Sequence, residues 1–134
     1  MRWLDSKGLL TGSMLDYGCG RGLDAETYGM DKYDPYYTEG RILTQDNNAA
    51  HQRYDVITCN YVLNVVADKE ERANIIESIK SLLNVGGVAY ITVRMDKQVV
   101  NGYTSTGTYQ EKVILDLPVM REAKNKYTMY KLQG

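Results

Sequence analysis

A short apolar run that breaks into three alternating glycines, Ser13-Met14-Leu15-Asp16-Tyr17-Gly18-Cys19-Gly20-Arg21-Gly22, constrains this chain more than any other stretch. Met14 and Leu15 begin like a strand buried on both faces, and Gly18, Gly20 and Gly22 free the backbone for a tight turn that a ligand can approach closely. Asp16 falls at the carboxyl end of that strand, where open α/β sheets place their ligands, so its charge is expected to face a bound group rather than the core. The competing reading is a glycine-rich turn and nothing more.

The rest of the chain supplies a sheet for this turn to belong to. Tyr54-Asp55-Val56-Ile57-Thr58-Cys59-Asn60 has a β-branched centre and a polar end, and is expected beside the first strand. Met30 to Asp34 reads as a second parallel strand stopped by Pro35. Ile42-Leu43-Thr44 reads as a short third, and Val88 to Val93 as a buried fifth. Asp68-x-x-Glu71 is a capping box that opens the strongest helix. Its Ile75, Ile76, Ile79, Leu82 and Leu83 form one apolar stripe, its Lys69, Glu70, Arg72 and Lys80 face water, and it ends near Asn84 and Gly86-Gly87. Lys112 to Leu117 and Tyr127 to Leu132 alternate like two strands separated by Met120 to Lys126, a pattern that fits a closing hairpin. Trp3 reads as a packing residue beside Leu4, Leu9 and Leu10.

At 134 residues the chain is expected to be a single domain, 1–134, near the lower limit for a complete cofactor-binding α/β unit. Leu23 to Tyr28 allows at most two helical turns, less than a normal crossover helix. The net charge of −1 gives no global basic field for nucleic acid or an anionic membrane. Cys19 and Cys59 are too few for a disulfide scaffold or a zinc site, so no metal is expected and a reducing cytoplasm is. No apolar run is long enough for a membrane span, and no leader is expected. Twelve Tyr beside no Phe is a bias that patterning does not explain.

Asp16-x-Gly18-x-Gly20-x-Gly22 resembles the first motif of class I S-adenosylmethionine-dependent methyltransferases. It differs from the dinucleotide fingerprint because its third glycine comes one residue early and an acid precedes the first. The resemblance implies a Rossmann-like α/β fold, a mostly parallel sheet with a C-terminal antiparallel hairpin and trimmed helices, the second trimming lying between Arg94 and Gln110. It also implies S-adenosyl-L-methionine as cofactor. Asp16, Gly18, Cys19, Gly20 and Gly22 would then surround its amino-acid portion, and a Cβ at Gly18 or Gly20 would fill ligand space. An acid closing the second strand would take the ribose hydroxyls, Asp34 or its rival Asp31. Asp46 would accept from the adenine amino group, and Tyr36 or Tyr37 would flank the adenosine. Asn60 and Tyr61 would sit near the sulfonium methyl, with Asn64 where relatives often have histidine.

Asp34-Pro35-Tyr36-Tyr37 also mimics the signature of adenine-N6 DNA methyltransferases, but it follows the glycine motif too closely to be that element. Leu82-Leu83-Asn84-Val85-Gly86-Gly87 resembles the family's Leu-x-Pro-Gly-Gly phrase. A narrower resemblance, to methyltransferase-like proteins associated with DNA phosphorothioation, rests on Leu15 to Gly20, Asn60 to Val65 and Gly107-Thr108-Tyr109-Gln110. If that last loop covers the strand ends, Tyr109 and Gln110 would border the acceptor pocket.

The expected activity is methyl transfer to an unidentified acceptor, a small molecule or nucleic acid, with Asn60, Tyr61, Asp96 and His51 as candidate catalytic residues. The alternative is a cofactor-binding module without transfer, acting as sensor, partner subunit or cofactor sink. Nicotinamide-dependent oxidoreduction is the third reading. The sequence leaves open whether two copies pair.

Overall fold

The computed structural model describes residues 1–19, 23–34, 52–96, 99–105 and 107–134. In chain order the elements are α1 (Arg2–Ser6), β1 (Met14–Tyr17), α2 (Leu23–Tyr28), β2 (Asp31–Tyr33), β3 (Tyr54–Asn60), a 3-10 turn (Leu63–Val65) and α3 (Lys69–Ser81). They continue with β4 (Leu83–Arg94), β5 (Gly102–Tyr103), β6 (Tyr109–Gln110), β7 (Val119–Ala123) and β8 (Tyr127–Gln133). Six strands make one sheet in the order β2-β1-β3-β4-β8-β7, and β5 with β6 makes a separate ribbon. The first four are parallel, with β8 antiparallel to β4 and β7 antiparallel to β8. This is the expected Rossmann-like sheet, and all four parallel strands end at one edge. The expected third strand, Ile42 to Thr44, lies outside the described residues.

Alternation along the strands divides the core in two. Leu15, Ile57, Cys59, Ala89, Ile91 and Val93 face α3 and its Ile75 and Ile79. Val56, Tyr90 and Met129 face α1, where Leu4 and Trp3 cover them. The amino-terminal ends of β1, β3 and β4 are pinned by Asp55, whose carboxylate accepts from the Ser13 amide at 3.1 Å and from Asn84 Nδ2 at 3.0 Å.

Helix α3 begins where its cap predicts, with Asp68 accepting from the Glu70 amide at 2.9 Å. It stops earlier than expected, at Ser81, and β4 starts at Leu83 instead of Val88. Leu83 pairs with Tyr54 before the register shifts, and Gly86 turns through φ +80° with Val85 fully exposed. Gly87 follows because a Cβ there would sit 2.9 Å from the Asn84 and Tyr54 carbonyls.

Two expectations fail. The hairpin partner of β8 is Val119–Ala123, while 112–118 forms no strand. The alternation there has another cause: Val113, Leu115 and Leu117 pack on the α3-side core while Ile114 is exposed. Arg72, expected in water, is buried, donating to the Val66 carbonyl at 2.9 Å and pairing with Glu111 at 3.3 Å. Glu111 also accepts from the Tyr109 hydroxyl, and its amide donates to the Asn64 carbonyl at 2.8 Å. The tail is thereby fastened to the turn that follows β3. Arg72→Met is expected to lower stability by about 1.5–3 kcal/mol, the range for hydrogen bonds to a charged group. Urea unfolding checks this, with the exposed Lys80→Met as a control changing stability by less than about 0.5 kcal/mol.

The tyrosine bias acquires a partial account. Tyr54 donates to Asp31 at 2.7 Å, Tyr130 accepts from the Leu115 amide at 3.3 Å, and the Tyr109 hydroxyl reaches Glu111. Each joins elements that a phenylalanine would leave unconnected.

Candidate active site

The site forms where the parallel strands end. After β1 the chain turns at Gly18, whose amide donates to the Tyr33 carbonyl at 2.7 Å and draws the ends of β1 and β2 together. Gly18 has φ +76°, and a Cβ on it would lie 2.4 Å from Val62 Cγ2. The expected obstruction of ligand space is therefore a collision with the protein's own post-β3 loop. Close packing of the two loops, together with the left-handed backbone, is what requires glycine here.

Asp16 is almost fully buried and accepts from Thr58 Oγ1 at 2.9 Å. Burial pushes its carboxyl up to about 7, with the Thr58 hydrogen bond opposing and the charges of Asp24 and Asp34 adding to the rise. Asp34 is buried just past the end of β2. Asp31, its rival, lies at the opposite end of that strand, opposite Leu15, and takes the Tyr54 hydroxyl.

Two adjoining cavities open here. One of about 390 Å³ is lined by Gly18, Asp34, Asn60 to Ala67 in part, and Glu71. The other, about 620 Å³, runs over the α1 face of the sheet from Asp16, Gly18, Cys19 and Asp24 to Trp3, Thr92, Arg121, Lys126 and Tyr127. Gly18, Asn60 and Tyr61 border both. The structure thus brings together Asp16, Gly18, Cys19, Asp34, Asn60 and Tyr61. Gly20, Gly22, Tyr36, Tyr37, Asp46 and His51 lie outside the described residues. Cys19 is half-buried, and its thiol is pushed up to about 11, first by burial and then by Asp16 and Asp34; Cys59 is buried and shifted the same way.

Tyr61 takes the left-handed backbone, φ 62°, an arrangement that costs a non-glycine residue energy and concentrates at functional sites. Its amide donates to the Thr92 carbonyl at 2.8 Å, and burial raises its phenol above the ordinary range. Asp96 is gripped by Arg94 through contacts of 2.8 to 3.0 Å and borders a third cavity, of about 510 Å³, with Tyr61. Asn64 turns inward and is buried. Tyr109 and Gln110 line neither of the two main cavities, because the β5–β6 ribbon packs against the 3-10 turn.

Sequence reasoning missed Thr92, Arg121 and Tyr127 as cavity residues, and gave Trp3 only its packing role. One signal was available: Asn60 pairs with Thr92, Thr92 with Met129, and Met129 with Arg121, so one register row crosses four strands. Reading it needed the correct hairpin partner. Trp3 both packs on the core and carries the Arg121 guanidinium 4.9 Å above its ring.

No curated protein sequence matches the chain. Among solved structures, the CcbJ methyltransferase from Streptomyces caelestis has TM-score 0.60 at 11% identity, over 92% of this chain and 89% of that one. TehB from Haemophilus influenzae gives 0.56 at 20% identity, over 95% and 59%. An O-methyltransferase family protein from Burkholderia thailandensis gives 0.58 at 14% identity, over 98% and 56%. The chain therefore spans little more than half the length of the last two, and at these identities the likeness is one of fold. A sequence model of the methyltransferase domain matches residues 4–133. That match runs from within α1 to the end of β8, and on it the chain belongs to the methyltransferase domain family.

Proposed function

We propose that the chain is a single S-adenosylmethionine-dependent methyltransferase domain acting on an acceptor yet to be identified. The observation that carries this is the convergence of Asp16, Gly18, Asp34 and Asn60 on two adjoining cavities at one sheet edge. Their chemistry fits a sulfonium nucleoside: two buried acids flank the turn at Gly18, one suited to an ammonium group and one to a ribose diol. When bound, the cofactor supplies an electrophilic methyl carbon, whose bonding pair stays with sulfur as an acceptor lone pair forms the new bond.

The chain's own residues then hold and orient. Asp34 takes the ribose hydroxyls, and Asp16, fixed by Thr58, faces the amino-acid portion beside Gly18 and Cys19. Asn60 and Tyr61 frame the junction of the cavities. Tyr61 stays protonated and donates a hydrogen bond, since burial disfavours its phenolate. Asp96 is committed to Arg94 and is a poor base. Orientation alone lowers such barriers by roughly 7–11 kcal/mol, more than a general base typically adds, so transfer does not require one.

Asp34→Ala is expected to weaken S-adenosylhomocysteine binding by about 1.5–3 kcal/mol. Asp31→Ala should leave it unchanged and lower stability instead, because it strands the Tyr54 hydroxyl. Calorimetric titration of both variants checks the assignment, and the reverse outcome moves the ribose site to Asp31.

The six-residue α2 and a tail with no helix among its described residues favour a second reading, a cofactor-binding module without transfer. Tight S-adenosylhomocysteine binding with no methyl release to any acceptor pool would select it. Two cysteines, too few for a disulfide framework, favour a cytoplasmic setting, and no described helix is long and apolar enough to cross a membrane. The resemblance to the phosphorothioation-associated group names no acceptor, and pairing of two copies remains a matter for sizing experiments.

A further inference from the structure

The larger cavity is electrically lopsided. Its acids, Asp16 and Asp24, stand on the glycine-turn side, Arg2 lines it from α1, and two cations, Arg121 and Lys126, stand on the β7–β8 hairpin side. Neither cation has an acidic partner among the described residues. The Arg121 guanidinium lies over the Trp3 ring at 4.9 Å and near the Tyr127 ring at 5.9 Å. Stacking uses the guanidinium face and leaves its N–H edge able to fork onto an oxyanion.

A second observation points to an occupant. Thr92, 3% exposed, lines the same cavity, and its Oγ1 has no hydrogen-bond partner among the described residues. Such a buried hydroxyl costs free energy unless something fills its valence. It sits in the register row that joins Asn60, at the junction with the smaller cavity, to Arg121. Three inter-strand steps separate those two backbones, about 14 Å in all.

We propose that the methyl acceptor is a small molecule bearing a carboxylate or phosphate, whose anionic group Arg121 and Lys126 hold while its body lies over Thr92. This rests on the methyl-transfer reading above. A cavity of about 620 Å³ suits a small molecule. Nucleic acid would require a longer run of phosphate contacts than Arg2, Arg121 and Lys126 supply, on a chain whose net charge is −1.

The test titrates indole-3-acetate and phenyl phosphate, with indole-3-acetamide and phenol as neutral counterparts, into protein loaded with S-adenosylhomocysteine and into unloaded protein. Both anions are expected to bind, and the neutral probes to bind about tenfold more weakly or worse. Arg121→Gln and the exposed Lys126→Gln should each weaken anion binding by a similar factor while leaving S-adenosylhomocysteine affinity within about twofold. Lys126→Gln cannot be dismissed as a folding failure, and Arg121→Lys, which keeps charge but loses the fork, should fall between.

Equal binding of neutral probes overturns the proposal, as does the absence of saturable binding by either anion. Variants that weaken S-adenosylhomocysteine while sparing the anions would assign the cations to the cofactor's own carboxylate. A single-stranded oligonucleotide that displaces phenyl phosphate and binds more tightly would make the acceptor a nucleic acid. If wild-type protein fails to bind S-adenosylhomocysteine, the cofactor reading falls, and the titrations of unloaded protein still decide this one.

Discussion

Gly18→Val is expected to abolish S-adenosylhomocysteine binding and to cost the fold about 2–4 kcal/mol, from left-handed strain plus overpacking. The position tolerates no side chain for two separable reasons. Its φ of +76° disfavours any Cβ, and that Cβ would overlap Val62 at 2.4 Å. Displacing Val62 shifts the loop carrying Asn60 and Tyr61, which borders both cavities, so affinity falls even though no ligand atom is touched. The pair Gly18→Ala and Gly18→Ala with Val62→Ala separates the causes. Measured against Val62→Ala alone, which loses its own buried methyls, the double variant should show only the backbone penalty. Calorimetry and urea unfolding measure both quantities, and a Gly18→Val protein that binds like wild type would remove the glycine turn from the site.

The second large effect concerns pH. Asp16 is held near 7 in the folded chain, chiefly by burial, whereas an unfolded aspartate titrates in the ordinary carboxylate range. The folded state therefore binds a proton that the unfolded state releases, and stability from this group falls as pH rises from about 4 to about 7. Above 7 the loss is complete, on the order of 4 kcal/mol. Asp16→Asn keeps the oxygen that Thr58 addresses and removes the charge. It should abolish this slope and be more stable than wild type at pH 8, while binding an ammonium-bearing ligand less well. Denaturant unfolding between pH 5 and 8 checks it, and an unchanged slope in Asp16→Asn would mean that another group carries it. Glu111 does not confuse the result, because its carboxyl is lowered, first by the Tyr109 hydrogen bond, and acts only at more acid pH.

Local signals made much of this fold readable in advance. The strand Tyr54–Asn60 has the bounds read around its β-branched centre, and Asp68 opens α3 because a side-chain cap is a short-range interaction. Two failures have non-local causes. Burial of Arg72 depends on Glu111, far along the chain, and helical periodicity cannot anticipate such a partner. The alternation of 112–117 correctly reported which side chains would be buried and wrongly suggested pairing, since period two follows from one covered face whether or not a neighbour supplies hydrogen bonds. True β7 was hidden by Arg121 and Glu122, residues ordinary for a strand at a sheet's edge. The site divides in the same way. Its glycine-turn side was legible because it is contiguous, and its cationic wall was not, because α1 and the hairpin meet only once the sheet exists.

The strand that covers the flank of β4 is made well after it. Until Tyr127–Gln133 is synthesised, Val88 to Arg94 offers a row of bare amides and carbonyls alongside some of the most apolar sequence in the chain. Any nascent or proteolysed form ending before Tyr127 would therefore carry an adhesive border able to recruit foreign strands. The hairpin serves solubility as well as supplying one wall of the cavity.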